Sequence, residues 1–212
     1  MPRVIECFSS LQGESTQAGR RCFFIRLEGC NLNCSYCDTE YARSGGVEKS
    51  VSELVELAVA SKVPLVEITG GEPLLEKELP ELCSRLMDRG LEVMIETNGS
   101  MDVSVIPEGV RRIIDCKLPG SGMDKFNMYG NFSGLTALDE VKFVVSSKED
   151  FDFALEVISR CGLEESPAAL LASPVWGRVS FEELAGWVIE SGSRLRMQLQ
   201  MHKLIWGDKK GV

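Results

Sequence analysis

The sequence has little of several features that point to common classes of protein. It has one histidine in 212 residues, and no apolar run approaches the roughly 20 residues that a membrane-spanning helix needs. Basic residues are in the minority, with 23 Lys and Arg against 32 Asp and Glu, which gives a formal net charge of −9. Proteins that bind nucleic acid or an anionic membrane present basic patches, so we expect neither partner.

The first residues, 1–6, also lack the apolar core of a signal peptide, and we expect a cytoplasmic protein. No internal repeat, low-complexity tract or Pro- and Ser-rich linker interrupts the chain. The composition is that of a globular protein, and the length fits a single domain spanning residues 1–212. Because thiols stay reduced in the cytoplasm, the eight cysteines predict metal binding, catalysis or burial rather than disulfides.

Short apolar runs alternate with helical patterns along the chain. The runs have the length and the Val, Ile, Leu or Phe content of buried strands. They are Arg21–Leu27, Leu65–Thr69, Leu91–Thr97, Arg112–Lys117, Glu140–Ser146, Ala169–Ser173 and Leu195–Gln200. Apolar residues spaced three and four apart predict helices over Val51–Ser61, Leu79–Arg89, Lys148–Cys161 and Phe181–Ser191.

This alternation predicts a parallel sheet joined by right-handed crossovers. A complete eight-fold barrel takes about 250 residues, and Gly99–Leu138 lacks a well-patterned long helix. We therefore predict an α/β fold, an incomplete TIM-like (β/α) barrel with fewer helices than strands. Functional residues of such folds lie at the C-terminal ends of the strands.

Three cysteines, Cys30, Cys34 and Cys37, form a CxxxCxxC cluster just after a predicted strand. Three thiolates suit a soft metal centre. An iron–sulfur cube normally takes four cysteines, so three leave one iron open to a small molecule. The alternatives are a zinc knuckle completed by Cys22 or Cys7, and three structural thiols. The single histidine, His202, is distant in sequence, and we expect it to form hydrogen bonds rather than bind metal.

A second motif, Gly70-Gly71-Glu72-Pro73, follows the buried strand that ends at Thr69. Two glycines allow the backbone to approach a ligand closely, and the Glu72 carboxylate could receive an ammonium group. The alternative is a simple turn at the exit of a strand.

Together, the CxxxCxxC cluster and the GGEP segment strongly resemble the radical S-adenosylmethionine (SAM) superfamily. The resemblance implies that the three cysteines hold a [4Fe–4S] cluster whose fourth iron is chelated by the methionine group of SAM. It also implies that the GGEP segment contacts the SAM amino group. An electron from the cluster then cleaves SAM to a 5′-deoxyadenosyl radical that abstracts hydrogen.

Five segments narrow the resemblance to the 7-carboxy-7-deazaguanine synthase family of 7-deazapurine (queuosine) biosynthesis. They are Phe8–Glu14 (FSSLQGE), Phe24–Cys30 (FIRLEGC), Cys37–Thr39 (CDT), Ile95–Gly99 (IETNG) and Gln200–Lys203 (QMHK). The resemblance implies a lyase that contracts the ring of 6-carboxy-5,6,7,8-tetrahydropterin to 7-carboxy-7-deazaguanine with release of ammonia. It further implies Mg2+, a homodimer, an electron donor such as flavodoxin or ferredoxin, and a barrel with few helices.

The resemblance also implies roles for individual residues. Thr39 corresponds to the Mg2+ ligand, and a hydroxyl oxygen is appropriate to that ion. The substrate contacts correspond to Leu11, Gln12, Gly13, Arg26 and Thr69. The SAM contacts correspond to Tyr36, Asp38, Gly71, Glu72, Glu96, Asp115, Cys116, Lys117, Ser173, Pro174, Val175 and Trp176. Physically, Arg26 could pair with the carboxylate of a pterin in bidentate fashion; the alternative is an arginine on a solvent-exposed face.

Two other functions fit part of the pattern. An activase that installs a glycyl radical on a partner protein would share the cysteine cluster and a GGEP-like segment. A non-catalytic iron–sulfur or zinc-binding module would share only the cysteines. The LQGE, CDT and QxHK segments favour the pterin enzyme over both.

Overall fold

In a computed structural model that describes residues 1–207, 209 and 211, the chain folds around one open sheet of nine strands. The strands are β1 (Arg3–Leu11), β2 (Arg21–Leu27), β3 (Val47–Glu48), β4 (Leu65–Gly70), β5 (Glu92–Thr97), β6 (Arg111–Cys116), β7 (Glu140–Val145), β8 (Ala169–Pro174) and β9 (Arg196–Met197). Their order in the sheet is β3-β1-β2-β4-β5-β6-β7-β8-β9. From β2 through β9 every neighbouring pair is parallel, as the sequence predicts.

The strand β1 is not among those predicted from the sequence. It pairs antiparallel with β2 and with β3, and the register shifts between Val4 and Glu6. Most of its side chains are only half-buried, and polar residues such as Ser9 and Ser10 interrupt the apolar pattern. Beyond Val4, β1 pairs on one side only, and a strand with one open side needs no continuous apolar run, so hydrophobicity alone did not predict it.

Five α-helices accompany the nine strands in the described part of the chain. They are α1 (Val51–Ala60), α2 (Leu79–Asp88), α3 (Lys148–Arg160), α4 (Phe181–Ser191) and α5 (Met201–Trp206). The first four match the predicted helices to within one residue. Capping boxes begin α1 at Ser50 and α4 at Ser180. In each, the serine hydroxyl accepts a hydrogen bond from the backbone N–H of a glutamate three residues on, and the carboxylate of that glutamate accepts one from the serine N–H.

The fully described segment Gly99–Leu138, which contains β6, has 3₁₀ turns but no α-helix. The prediction of an incomplete barrel with fewer helices than strands is confirmed. Among the described residues, no helix is both long and apolar enough to cross a membrane.

The two faces of the sheet have different environments because side chains alternate along each strand. On the outer face, residues such as Val66, Ile68 and Val141 pack with the helices in the main apolar core. On the inner face, a smaller apolar cluster forms a floor from Cys22, Phe24, Leu65, Met94 and Ile113. Towards the C-terminal ends of the strands, inner-face residues become polar and line a cavity.

Candidate active site

The three clustered cysteines lie in the loop that follows β2 and line one cavity of about 540 Å³. The loop is held by hydrogen bonds from the backbone N–H of Cys37 to the Cys34 carbonyl, 3.3 Å, and from Leu32 N–H to Cys30 Sγ, 3.5 Å. Asn98 at the end of β5 also donates to Cys30 Sγ, at 3.8 Å. The structure therefore directs all three thiols to the same space.

The thiols are not arranged around a single ion. Among the described residues, no group of three or more His, Cys, Asp or Glu side chains is placed so that it could hold one metal ion. The zinc-knuckle alternative receives no support from this geometry. Three cysteines that line one cavity match the ligand set of a [4Fe–4S] cluster with one iron left open, because such a cube normally takes four cysteines.

The GGEP segment lies directly against the cysteine loop. Gly71 N–H donates to the Leu27 carbonyl at 3.3 Å, and Glu72 N–H donates to the Gly29 carbonyl at 2.8 Å. A Cβ atom at Gly71 would lie 1.9 Å from the Gly29 carbonyl oxygen and 2.8 Å from Cys30 Cβ. Only glycine fits there, and its absent side chain leaves the cavity open beside Cys30.

Glu72 itself is turned away from the cavity. Its carboxylate is 1% exposed and accepts hydrogen bonds from Leu74 N–H, Thr97 Oγ1 and Asn98 N–H at 2.9, 2.8 and 2.7 Å. The sequence suggests that this carboxylate receives an ammonium group. In the structure it already accepts three hydrogen bonds, from donors at the exits of β4 and β5. In this structure Glu72 fixes the GGEP segment to the end of β5.

The predicted substrate residues all line the cavity. Arg26 donates from Nε to Glu6 Oε1 at 2.8 Å, and its guanidinium carbon lies 5.8 Å from the centre of the Tyr41 ring. This packing uses one edge of the guanidinium, and within the described part of the chain its terminal nitrogens have no hydrogen-bond partner. Gln12, which is 4% exposed, donates to the carboxyl of Glu67 on β4.

Three charged residues that the family resemblance did not assign to the substrate form a buried network. Lys142 on β7 forms an ion pair with Glu14 and a second with Glu96 at 2.6 Å. Burial opposes the charge on Lys142, but the two carboxylates prevail and raise its pKa well above the usual value. Burial likewise opposes the ionisation of Glu14. The positive charge of Lys142 outweighs this effect of burial and lowers the pKa of Glu14.

A sequence signal for these residues exists. Lys142 and Glu67 each lie between apolar residues of a buried strand, and both fall on the inner face by strand alternation. Glu96 is a predicted SAM contact, and the structure places it with this network on the cavity wall.

Three consecutive predicted SAM contacts, residues 115–117 at the end of β6, lie on different faces of the sheet. Asp115 and Lys117 line the cavity and form an ion pair at 2.6 Å. Asp115 Oδ1 is buried and has no hydrogen-bond partner among the described residues, as expected of an atom that awaits a ligand. Cys116 lies between them and points into the outer core, so its side chain does not line the cavity.

The exit of β8 shows a similar division. Val175 and Trp176 line the cavity, whereas Ser173 and Pro174 are buried beneath it. Ser173 Oγ also lacks a hydrogen-bond partner among the described residues. The Tyr36 hydroxyl reaches across to the Val144 carbonyl, 3.1 Å away, and so closes the wall near Cys37.

Thr39 and Asp38 follow the last cysteine and face the cavity. The Thr39 hydroxyl donates to Asp38 Oδ1 at 3.0 Å, and Lys203 forms an ion pair with Asp38 Oδ2 at 2.6 Å. The site thus presents a hydroxyl and a carboxylate close together, which are oxygen ligands of the kind that Mg2+ prefers.

The C-terminal segment closes one side of the cavity. Met201 N–H donates to the Gly13 carbonyl at 2.9 Å, and Gln200 Nε2 donates to Glu14 Oε1 at 2.8 Å. His202 lies against Gly13, where a Cβ atom would come within 2.3 Å of its ring. The predicted strand Leu195–Gln200 is paired only at Arg196–Met197, since the glutamines beyond turn to this loop. Of the tail, Asp208, Lys210 and Val212 lie outside the described residues.

The five remaining cysteines are packed in apolar surroundings. Cys22, Cys83 and Cys116 are buried, and Cys7 and Cys161 are half-buried against the main core. Burial raises the pKa of the Cys7 thiol to about 11 and that of Cys83 to about 12. The Cys7 and Cys83 thiols therefore stay neutral, and all five side chains fill space as small apolar groups.

Comparison with known proteins agrees with this arrangement. Residues 24–162 match the Radical SAM superfamily. A 7-carboxy-7-deazaguanine synthase from Koribacter versatilis is 40% identical over 225 aligned positions, which cover 99% of this chain and 100% of that protein. A protein of the same name from Methanospirillum hungatei is 41% identical over 96% of this chain and 85% of its own length. The crystal structure of QueE from Escherichia coli matches with a TM-score of 0.70 and 25% identity over 93% of both chains.

Proposed function

Because the chain belongs to the 7-carboxy-7-deazaguanine synthase family of the radical SAM superfamily, we propose that it makes 7-carboxy-7-deazaguanine from 6-carboxy-5,6,7,8-tetrahydropterin with release of ammonia. The observation that carries the proposal is the shared cavity. Three cysteine thiols, an arginine and a ring of buried charged groups face the same 540 Å³ space. That volume is in the range of small-molecule sites.

The residues present fit the two cofactors of the superfamily. Cys30, Cys34 and Cys37 would hold a [4Fe–4S] cluster, and the space left by Gly71 would admit SAM beside it. The unpartnered Asp115 Oδ1 supplies an acceptor for a donor group of SAM. When bound, these cofactors supply the electron and the hydrogen-atom abstraction that begin the reaction.

The protein's own part in this proposal is to bind, orient and shield the substrate. Arg26 would pair its terminal nitrogens with the substrate carboxylate, since Glu6 and Tyr41 hold the other edge of its guanidinium. Thr69 lies next to Arg26 in the register of β4 with β2, so it would contact the same end of the substrate. The segment Gln200–Lys203 would exclude water from that side.

Magnesium would be bound at Thr39. Its hydroxyl, beside the Asp38 carboxylate, supplies oxygen ligands at the exit of the cysteine loop. Because Thr39 lines the cavity, an ion held by it would lie within reach of a bound substrate and could orient the substrate carboxylate.

Anaerobic reconstitution tests the proposal directly. The loaded protein is incubated with the carboxylated tetrahydropterin, SAM, Mg2+ and a chemical reductant, and the products are identified by mass spectrometry. We expect 7-carboxy-7-deazaguanine and ammonia. Absence of the product in a sample with intact cluster absorbance overturns the proposal. SAM cleavage without conversion of the pterin would instead favour a glycyl-radical activase, and no SAM binding would favour a non-catalytic module.

We also propose a cytoplasmic location, a homodimer and an electron donor such as flavodoxin or ferredoxin. Reducing conditions suit a protein whose described cysteines are all free thiols. Light scattering of the loaded protein would measure the oligomeric state, and each candidate donor can replace the chemical reductant in the assay above.

A further inference from the structure

Glu67 is a buried carboxyl at the floor of the cavity that no role assigned above uses. It is 3% exposed, lies on the inner face of β4, and lines the cavity. Gln12 Nε2 donates to its Oε2, and among the described residues no cation forms an ion pair with it. A buried carboxyl that lines a binding cavity and has few hydrogen-bond partners is costly unless a ligand completes its hydrogen bonds.

The register of neighbouring strands shows how deep Glu67 lies in the cavity. In the register of β2 with β4, Arg26 lies opposite Thr69, and Phe24 lies opposite Glu67 two residues below. The cysteines follow β2 at its upper end. A ligand whose carboxylate is held by Arg26 therefore places its opposite end at the level of Glu67.

The floor at that level suits a flat heterocycle. Phe8 and Phe24 stack with ring centres 5.0 Å apart and an angle of 12° between their planes, and both line the cavity. Met94 lies beside Glu67 in the register of β5 with β4, Leu65 lies two residues below it on β4, and both belong to the apolar floor. An apolar floor with one carboxyl at its edge would orient a planar ring that has a hydrogen-bond donor on one side.

We propose that Glu67 accepts a hydrogen bond from the exocyclic amino group of the substrate's 2-amino-4-oxopyrimidine ring and so selects 2-amino heterocycles. The proposal rests on the proposed function, since Arg26 and the cysteines fix which end of the pterin points downward. It makes Glu67 a specificity-determining residue at the end of the substrate remote from the reacting carbon.

The charges that face Glu67 come from three neighbouring elements. Glu96 lies on β5, Arg26 on β2, and Glu14 in the loop after β1. Burial first, and then repulsion by Glu96, raises the pKa of Glu67 to about 8, while Gln12 and Arg26 oppose the rise. Near neutral pH the protonated carboxyl still has a carbonyl oxygen that can accept from an amino group.

The test compares two ligands that differ at the group in question. Binding of 6-carboxypterin and of 6-carboxylumazine, which has an oxo group in place of the 2-amino group, is measured calorimetrically on the cluster-loaded protein with SAM. We expect wild type to bind the pterin about ten- to hundredfold more tightly. In Glu67→Leu this preference should fall below about threefold, and Glu67→Gln, which keeps an acceptor oxygen, should recover most of it. Glu56→Leu, an equivalent change on the exposed face of α1, should match wild type.

The outcomes separate this inference from the proposed function. If wild type does not discriminate between the two ligands, the proposal for Glu67 is overturned, even when catalytic turnover is normal and whether or not any variant folds. An unchanged preference in Glu67→Leu with intact cluster absorbance overturns it as well. If wild type binds no pterin and makes no product, the proposed function has failed.

Discussion

Gly71 and Gly29 are in such close contact that a Cβ atom at Gly71 would lie 1.9 Å from the Gly29 carbonyl oxygen. This contact joins the GGEP segment to the loop that carries the cysteines. It explains why two motifs more than 30 residues apart act as one site: the parallel pairing of β2 with β4 brings their exits together.

Gly71→Ala is expected to push the GGEP segment after β4 away from the cysteine loop after β2. The added methyl group must displace the Gly29 backbone, and overpacking of this kind costs about 1–3 kcal/mol. We expect a matching loss in the free energy of unfolding, and reduced iron content after reconstitution. Gly186→Ala is the control, since nothing lies within 4 Å of a Cβ there, and alanine should stabilise α4 by up to about 1 kcal/mol. Equal iron content in the two variants would contradict the prediction.

Thr39→Ala should weaken the response to Mg2+ while cluster absorbance stays intact. Loss of a ligand or of a group that orients one typically lowers metal affinity by about ten- to hundredfold. The measurement is turnover as a function of Mg2+ concentration. Thr39→Ser keeps the hydroxyl and should behave like wild type. The same Mg2+ dependence in Thr39→Ala and wild type would remove Thr39 from the metal site.

Lys142→Met should destabilise the protein strongly. The change leaves the half-buried carboxylates of Glu14 and Glu96 without the buried cation that they share, and breaking a buried ion pair costs about 3–5 kcal/mol. Urea unfolding measures the effect. Lys148→Met breaks an exposed ion pair with Asp152 and should cost less than about 1 kcal/mol. Similar losses in the two variants would show that the network contributes little.

Glu67 should make the protein less stable as pH rises. The pKa of Glu67 is about 8 in the folded protein against 4.5 for the free group, so between these values the folded state retains a proton that the unfolded state has lost. The free energy of unfolding therefore falls by up to about 1.4 kcal/mol per pH unit from pH 4.5 to 8. The contribution of this group levels off above pH 8.

Urea titrations of wild type and Glu67→Gln from pH 5 to 9 check this sign. The glutamine variant lacks the titrating group, so its stability relative to wild type should increase with pH. A difference that stays constant over the range would mean that Glu67 has an ordinary pKa in the folded protein.

The sequence predicted most of the regular structure because burial leaves a clear pattern. Seven strands and four helices were expected where they occur, and capping boxes at Ser50 and Ser180 begin two of those helices, α1 and α4. It did not predict β1, whose half-buried side chains have no apolar pattern, the two-residue β3, or the depth of Glu67 and Lys142. A charged residue in an apolar strand signals a special position, but only the assembled sheet shows which partners it meets.

Local patterns in the sequence determined the cluster of three cysteines, the strand exits and the absence of a long helix over Gly99–Leu138. Only the tertiary structure decided which of the predicted contact residues face the cavity and which are buried away from it. Asp115 and Lys117 face the cavity while Cys116 faces the core, and Glu72 is held by Thr97 and Asn98 instead of pointing to a ligand. The physical reason is that spacing along a chain fixes which residues share an exit, whereas the pleat and twist of neighbouring strands fix where each side chain points.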